Sequence, residues 1–234
     1  MLQLYIGNKN YSSWSMRPWV LMTDAGIAFE EVKVRFDAFT PGSDFKRTMA
    51  ALAPTAKVPV LVIDSGTGER EVIWDTLAIA ETLAERYPNR QLWPADPARR
   101  ALARSLCAEM HSGFGALRNA CGMNVEARLP EVGARVLAEQ PGVQADLARI
   151  DTMWAGCLDR FGGPWLGGER FGILDAYYAP VASRLRTYAL PVSAPVADYV
   201  ERLHQRPSVA AWVAGALAER DFLAFEEPYR QSRT

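Results

Sequence analysis

The residues best placed for chemistry stand in two short runs. One is Lys57-Val58-Pro59-Val60-Leu61-Val62-Ile63, an apolar, β-branched stretch headed by proline. Proline has no N–H to give to a ladder, so it belongs at the start, edge or bulge of a strand. The other is Glu71-Val72-Ile73-Trp74-Asp75-Thr76, a strand-like run whose polar end opens a helix. Free backbone groups of the first run would then lie beside the free helix N-terminus of the second. That layout suits a small peptide carrying carboxylates, because strand edges recognise extended peptides and helix N-termini recognise anions.

Other chemistries lack their residues. No cysteine precedes Cys107, so the first part of the chain has no Cys-x-x-Cys pair. His111 and His204 are the only histidines, and there is no His-Glu-x-x-His and no cysteine cluster, which argues against a zinc site. Neither a Walker loop nor a Gly-x-Ser-x-Gly elbow occurs. A formal net charge of −1 gives no electrostatic case for nucleic acid or an anionic membrane surface. No apolar run approaches the roughly 20 residues of a membrane span. The start, Met1-Leu2-Gln3-Leu4-Tyr5-Ile6, reads as a strand without the basic flank of a signal peptide. Cys107, Cys121 and Cys157 are odd in number and widely spaced, as for buried or free thiols in a reducing compartment, so a cytoplasmic location is expected.

The elements that hold the two runs follow from periodicity. With 234 residues, 49% hydrophobic and 23% charged, the chain is long enough for two modest cores and too apolar for disorder. Residues 2–7 alternate as a strand, 8–13 are a polar loop, and Met16, Trp19, Val20 and Thr23 follow at helical spacing up to Gly26. Residues 29–34 suggest a second strand and 45–52 a short helix. Strands fit 59–63 and 70–74, joined through Ser65-Gly66-Thr67-Gly68, a hairpin turn signal. Leu77, Ala80, Leu83 and Tyr87 mark a helix that stops before Pro88. Residues 1–88 thus form a β-α-β-α-β-β-α unit, 89–97 a proline-rich linker, 98–225 an all-helical domain and 226–234 a polar tail. In the second half one helix is expected through Leu102, Leu106, Met110, Phe114 and Leu117, a second from Val143 to Phe161, and a third from Leu174 to Tyr188, kinked at Pro180. A last helix begins at Pro207.

An α/β unit with a Val-Pro strand, a proline-rich linker and a helical second half resembles the cytosolic glutathione S-transferase superfamily. The resemblance covers nearly the whole chain. Ser12-Ser13-Trp14-Ser15-Met16-Arg17 is similar to the Ser-Ser-Cys-x-x-Arg helix start of the zeta-like enzymes. Pro54-Thr55-Ala56-Lys57-Val58-Pro59-Val60-Leu61 is similar to the family's Asn-Pro-x-Gly-Lys-Val-Pro-x-Leu, and Asp75-Thr76-Leu77-Ala78-Ile79 to its Glu/Gln-Ser-x-Ala-Ile. Gly168-Glu169-Arg170-Phe171-Gly172-Ile173-Leu174-Asp175 is similar to the helix start of its second domain. The fold so implied is a thioredoxin-like α/β domain followed by an all-α helical bundle.

The resemblance implies a serine-type glutathione transferase of a zeta-like bacterial branch, with glutathione as co-substrate, a small hydrophobic electrophile as second substrate, a detoxifying role and a homodimeric state. Ser12, five residues before Arg17 as in the zeta-like pattern, would steady the glutathione thiolate, with Ser13 as its close rival. Trp14, Lys57, the backbone of Val58 beside a cis Val58–Pro59 bond, Asp75 and Thr76 would hold the tripeptide. Asp75 would pair with its γ-glutamyl ammonium and Thr76 with a carboxylate. His111, Phe114 and Arg118 would face the electrophile. Arg17 reads equally as an ion-pair partner or a functional residue, and Asp175 as a helix cap. Two other outcomes stand beside this one: a glutathione-dependent cis–trans isomerase of the maleylacetoacetate kind, and a non-catalytic binding module on the same fold.

Overall fold

The computed structural model describes residues 1–66 and 68–233, so Thr67 of the expected hairpin turn lies outside the described residues. The first half contains β1 (Leu2–Ile6), α1 (Ser13–Asp24), β2 (Glu30–Lys33), α2 (Asp44–Ala50), β3 (Val60–Asp64), β4 (Arg70–Trp74) and α3 (Thr76–Arg86). The sheet runs β2-β1-β3-β4, with β2 parallel to β1 and the other pairs antiparallel. This is the expected β-α-β-α-β-β-α order.

The period of two along β3 explains its unbroken apolar run. Leu61 and Ile63 join Leu4, Met16, Val20 and Ile79 on the α1/α3 side. Val60 and Val62 join Phe36, Phe45 and Met49 on the α2 side. A central strand covered on both faces has no polar side to show.

The second half is all helical among the described residues: α4 (Pro97–Ser112), α5 (Gly115–Ala120), α6 (Pro130–Glu139), α7 (Pro141–Phe161), α8 (Ile173–Thr187), α9 (Ala194–Gln205) and α10 (Pro207–Glu219). α1 packs against α8 and α10, so one core runs through both halves. The single helix expected through Leu117 is interrupted. Gly113 closes α4, where a Cβ would stand 2.7 Å from the Glu109 carbonyl oxygen, and Phe114 takes the left-handed region at φ 54° before α5 begins. α6 and α9 had no counterpart in the sequence reading. Each carries proline at the first or second helical position, where it is tolerated but reads as a breaker.

The end of the chain is docked. Glu227 is buried and accepts from the Tyr11 hydroxyl at 2.8 Å and from Arg230 Nε at 2.9 Å. The Tyr229 hydroxyl donates to the Ala120 carbonyl at 2.7 Å. Residues of the expected polar tail thus serve as partners for the Tyr11 hydroxyl and the Ala120 carbonyl. No helix among the described residues is long and apolar enough to cross a membrane.

Candidate active site

Two cavities open side by side where the α/β half meets the helices. The smaller, of about 320 Å³, is bounded by Trp14, Thr55, Lys57, Val58, Pro59, Trp74, Asp75, Thr76, His111 and Arg118. The larger, of about 470 Å³, is bounded by Tyr11, Ser12, Ser13, Trp14, the Phe36/Phe39/Phe45 cluster, Lys46, Lys57, Val58, Arg118, Met123, Arg184 and Glu226, with Asn119 and Gly122 completing it. Trp14, Lys57, Val58 and Arg118 belong to both. The fold therefore brings the Val58–Pro59 run, the Asp75–Thr76 run and the two serines to one cleft.

β3 positions the first run. The Val58–Pro59 bond is cis, and pairing with β4 begins only at Val60, opposite Trp74. The Val58 N–H and C=O have no hydrogen-bond partner among the described residues. An extended peptide can pair with these two groups as an added strand.

The turn from β4 into α3 positions the second run. Asp75 holds φ 78° and ψ 134°, a conformation costly for a residue with a Cβ, and its carboxylate caps α3 by accepting from Leu77 N–H at 2.9 Å. Its Oδ2 lies 3.3 Å from His111 Nε2. The Thr76 hydroxyl is buried and sits 2.6 Å from the Tyr177 hydroxyl. Its backbone N–H stands in the first turn of α3, where the helix dipole favours an anion. Tyr177 also reaches His111 Nδ1, at 3.2 Å. Thr76, Tyr177, His111 and Asp75 thus form a polar chain across the two halves. Tyr177 was legible in sequence only as one apolar position of the α8 stripe.

The two serines differ. The Ser12 hydroxyl donates to Ser15 Oγ at 2.7 Å and is buried. Ser13, the first residue of α1, has no side-chain partner among the described residues and is half-buried on the larger cavity. Trp14 stands between the cavities, with His111 edge-on to its ring at 5.1 Å.

Phe114, His111 and Arg17 differ in what they reach. Phe114 lines neither cavity, because the break at Gly113 turns it into the core, where it is 6% exposed. His111, in the last turn of α4, lies on the smaller cavity with Asp75. Arg17 pairs with no carboxylate among the described residues. Its guanidinium stands over Trp14 at 3.9 Å and Tyr177 at 4.5 Å, and burial lowers its pKa to about 10. Arg118 does line both cavities, and Lys57 projects, exposed, at their common edge.

Sequence reasoning missed Arg184 and Glu226, both on the larger cavity. Nothing at either position marks it in sequence. Burial lowers the Arg184 pKa to about 10, and burial beside Glu227 raises that of Glu226 to about 7. Away from the cleft, Asp175 caps α8 as expected. It is fully buried and accepts from Leu166 and Gly172 N–H groups and from the Tyr199 hydroxyl, while burial raises its pKa to about 6. All three cysteines are free and buried, and no described group of His, Cys, Asp and Glu residues could hold a metal ion.

Comparison with known proteins agrees with this architecture. The family model for the glutathione S-transferase N-terminal domain matches residues 11–86, and that for the C-terminal domain matches residues 123–215. The chain is 27% identical to a maleylacetoacetate isomerase of Pseudomonas aeruginosa over 76% of its own length and 79% of the relative's. It is 24% identical to the glutathione S-transferase GstB of Escherichia coli over 78% of its own length and 88% of the relative's. Among solved structures, a glutathione transferase homologue from Burkholderia with bound glutathione superposes with a TM-score of 0.66 at 26% identity, covering 93% of this chain and 98% of the other.

Proposed function

The chain belongs to the glutathione S-transferase family, and from that premise we propose that it binds glutathione in the smaller cavity and activates its thiol with a serine hydroxyl at the start of α1. The observation that carries this reading is the unengaged Ser13 hydroxyl at a helix N-terminus, on a cleft shared with Val58 and Asp75. The cysteinyl unit of glutathione pairs with the Val58 backbone. Its γ-glutamyl ammonium meets Asp75, a carboxylate meets the first N–H groups of α3, and Lys57 reaches a second carboxylate at the edge.

A free thiol has a pKa of about 8.5, so lowering it by two units takes about 2.7 kcal/mol of preference for the thiolate. One hydrogen bond to a charged acceptor contributes about 1.5–3 kcal/mol, and the α1 dipole adds to it. A single serine is therefore sufficient in magnitude. The thiolate then attacks an electrophile in the larger cavity, and the protein works as a cytoplasmic homodimer.

The test is retention on immobilised glutathione together with turnover of a chlorodinitrobenzene-type electrophile. Full turnover in both Ser12→Ala and Ser13→Ala removes the serine mechanism. The relatives named maleylacetoacetate isomerase, in Pseudomonas aeruginosa and in the rat, favour a second reading, glutathione-dependent isomerisation without net conjugation. Accumulation of an isomer with no glutathione consumed distinguishes it.

A further inference from the structure

Glu226 is the single carboxyl group among the described residues of the larger cavity, and activation of sulfur by a serine leaves it without a task. It arrives from the far end of the chain between two anchors. Leu223 is buried with Val60, Val62 and Phe36 on the α2 side of the sheet, and its N–H donates to the Tyr11 hydroxyl at 3.3 Å. Glu227 accepts from the Tyr11 hydroxyl at 2.8 Å and from Arg230 Nε at 2.9 Å. The turn Ala224–Glu226 between them is closed by the Glu226 N–H, which donates to the Leu223 carbonyl at 2.8 Å. It sets Glu226 on the cavity wall and Phe225 edge-on to Phe39 at 5.3 Å.

The backbone of Glu226 is thus fixed while its carboxyl oxygens stay unengaged. The side chain forms no hydrogen bond and no ion pair among the described residues. Four cations line the same cavity, Lys46 on α2, Lys57 before β3, Arg118 on α5 and Arg184 on α8, and none of them neutralises it. Lys46 Nζ donates to the Ala56 carbonyl at 2.9 Å. Arg118 Nη1 donates to the His111 and Gly113 carbonyls, and Arg184 to those of Cys121 and Pro180. The charge that acts on Glu226 is of its own sign, that of Glu227. Burial, together with this neighbour, favours the protonated form and raises the pKa from 4.5 to about 7. The Tyr11 hydroxyl on the same wall is no rival as a proton source, since burial pushes it up to about 12 and its proton is given to Glu227.

A proton donor facing the cavity has work to do only when the electrophile must gain a proton. Substitution at an aryl chloride expels chloride and needs none. Addition to a double bond conjugated with a carbonyl leaves an electron pair on the α-carbon. If that pair expels the sulfur again, the outcome is isomerisation. If it takes a proton, the outcome is a conjugate.

We propose that Glu226 is a catalytic acid that protonates the adduct as the thiolate adds, and so ends the reaction as a conjugate rather than an isomer. The sulfur forms a bond to the β-carbon, the π pair moves to the α-carbon, and the Glu226 proton makes the new C–H bond there. The Glu226 carboxylate takes a proton back from water, and the proton of the glutathione thiol has already passed to solvent. This rests on reading the cleft as a glutathione site.

The experiment compares two electrophiles, benzylideneacetone, which must gain a proton, and chlorodinitrobenzene, which must not. Glu226→Gln keeps the size of the side chain and removes the acid. It should lower the ratio of the two kcat/KM values, ketone to chloride, by about 100-fold, the low end for a general acid. In the unaltered protein, addition to the ketone should fall as pH rises through about 7 while substitution does not, and in Glu226→Gln that fall should be absent. An unchanged ratio overturns the inference. So does a loss of S-methylglutathione affinity in the variant as large as the loss of addition, which would make Glu226 a contact for the tripeptide. Should Glu226→Gln fail to fold, the unaltered protein still decides, because parallel pH profiles for the two electrophiles also overturn it. If the unaltered protein does not bind S-methylglutathione, the glutathione reading itself falls, and this inference with it.

Discussion

The Ser12 hydroxyl donates to the Ser15 hydroxyl at 2.7 Å, and Ser15 Oγ in turn accepts the Gly7 N–H at 3.1 Å. Ser12 therefore ties the loop after β1 to the first turn of α1, and the hydroxyl beside it is the one left for sulfur. Ser13→Ala should cut kcat/KM for conjugation by about 10- to 100-fold, the effect of one hydrogen bond to a charged acceptor. Ultraviolet titration should show the bound thiol ionising closer to its value in water. Ser12→Ala should instead lower stability by about 1 kcal/mol with a smaller loss of activity. The reverse pattern would hand the thiolate to Ser12, the residue that its spacing from Arg17 favours.

Asp75 combines a strained backbone, a capping bond and a place on the smaller cavity. If its carboxylate meets an ammonium group of glutathione, Asp75→Asn keeps the cap acceptor and removes the charge. Glutathione affinity by calorimetry should fall about tenfold, while the thermal midpoint changes little. Equal loss of affinity and of thermal stability would make Asp75 a helix cap alone.

Most of the fold was legible because its signals are local. The apolar run of β3 reports burial on both faces, and the Pro54–Leu61 and Asp75–Ile79 motifs place the turns that flank the smaller cavity. What was not legible depends on partners far apart in sequence. Nothing near Thr76 shows that Tyr177, 101 residues on, engages its hydroxyl. Nothing in the last nine residues shows that Glu227 answers Tyr11, 216 residues back. Phe114 misled because its spacing fits the α4 stripe, while one glycine ends that helix and reverses the side chain's direction.

The link between Thr76 and Tyr177 has a measurable weight. Tyr177→Phe removes the one oxygen that meets both Thr76 Oγ1 and His111 Nδ1. The Thr76 hydroxyl is then left buried and unpaired, at a cost of about 1–3 kcal/mol. Urea unfolding should shift to a lower midpoint with an unchanged slope. Adding Thr76→Val should recover part of the loss, since the stranded hydroxyl is gone. A double variant no more stable than Tyr177→Phe would show that the hydroxyl finds another partner.

His204 sets a pH dependence far from the cleft. It is largely buried on α9, its Nδ1–H donates to the Val200 carbonyl at 2.8 Å, and burial, with Arg186 and Arg128 nearby and Glu201 opposing, lowers its pKa from 6.5 to about 4. The native state thus holds the neutral ring while the unfolded chain takes up a proton below pH 6.5. Between that point and about pH 4 the unfolded state binds more protons, so this contribution is complete above the window and lost as pH falls through it. Asp175 acts with the opposite sign between about pH 6 and 3.8, because its raised pKa makes the native state the better proton acceptor. Comparing the intact protein with His204→Gln subtracts the Asp175 effect, which both share. From pH 8 to pH 5 the intact protein should lose about 1–2 kcal/mol more than the variant in denaturant titrations. Parallel pH profiles for the two proteins would mean that the His204 ring is protonated as readily in the folded chain as in the unfolded one.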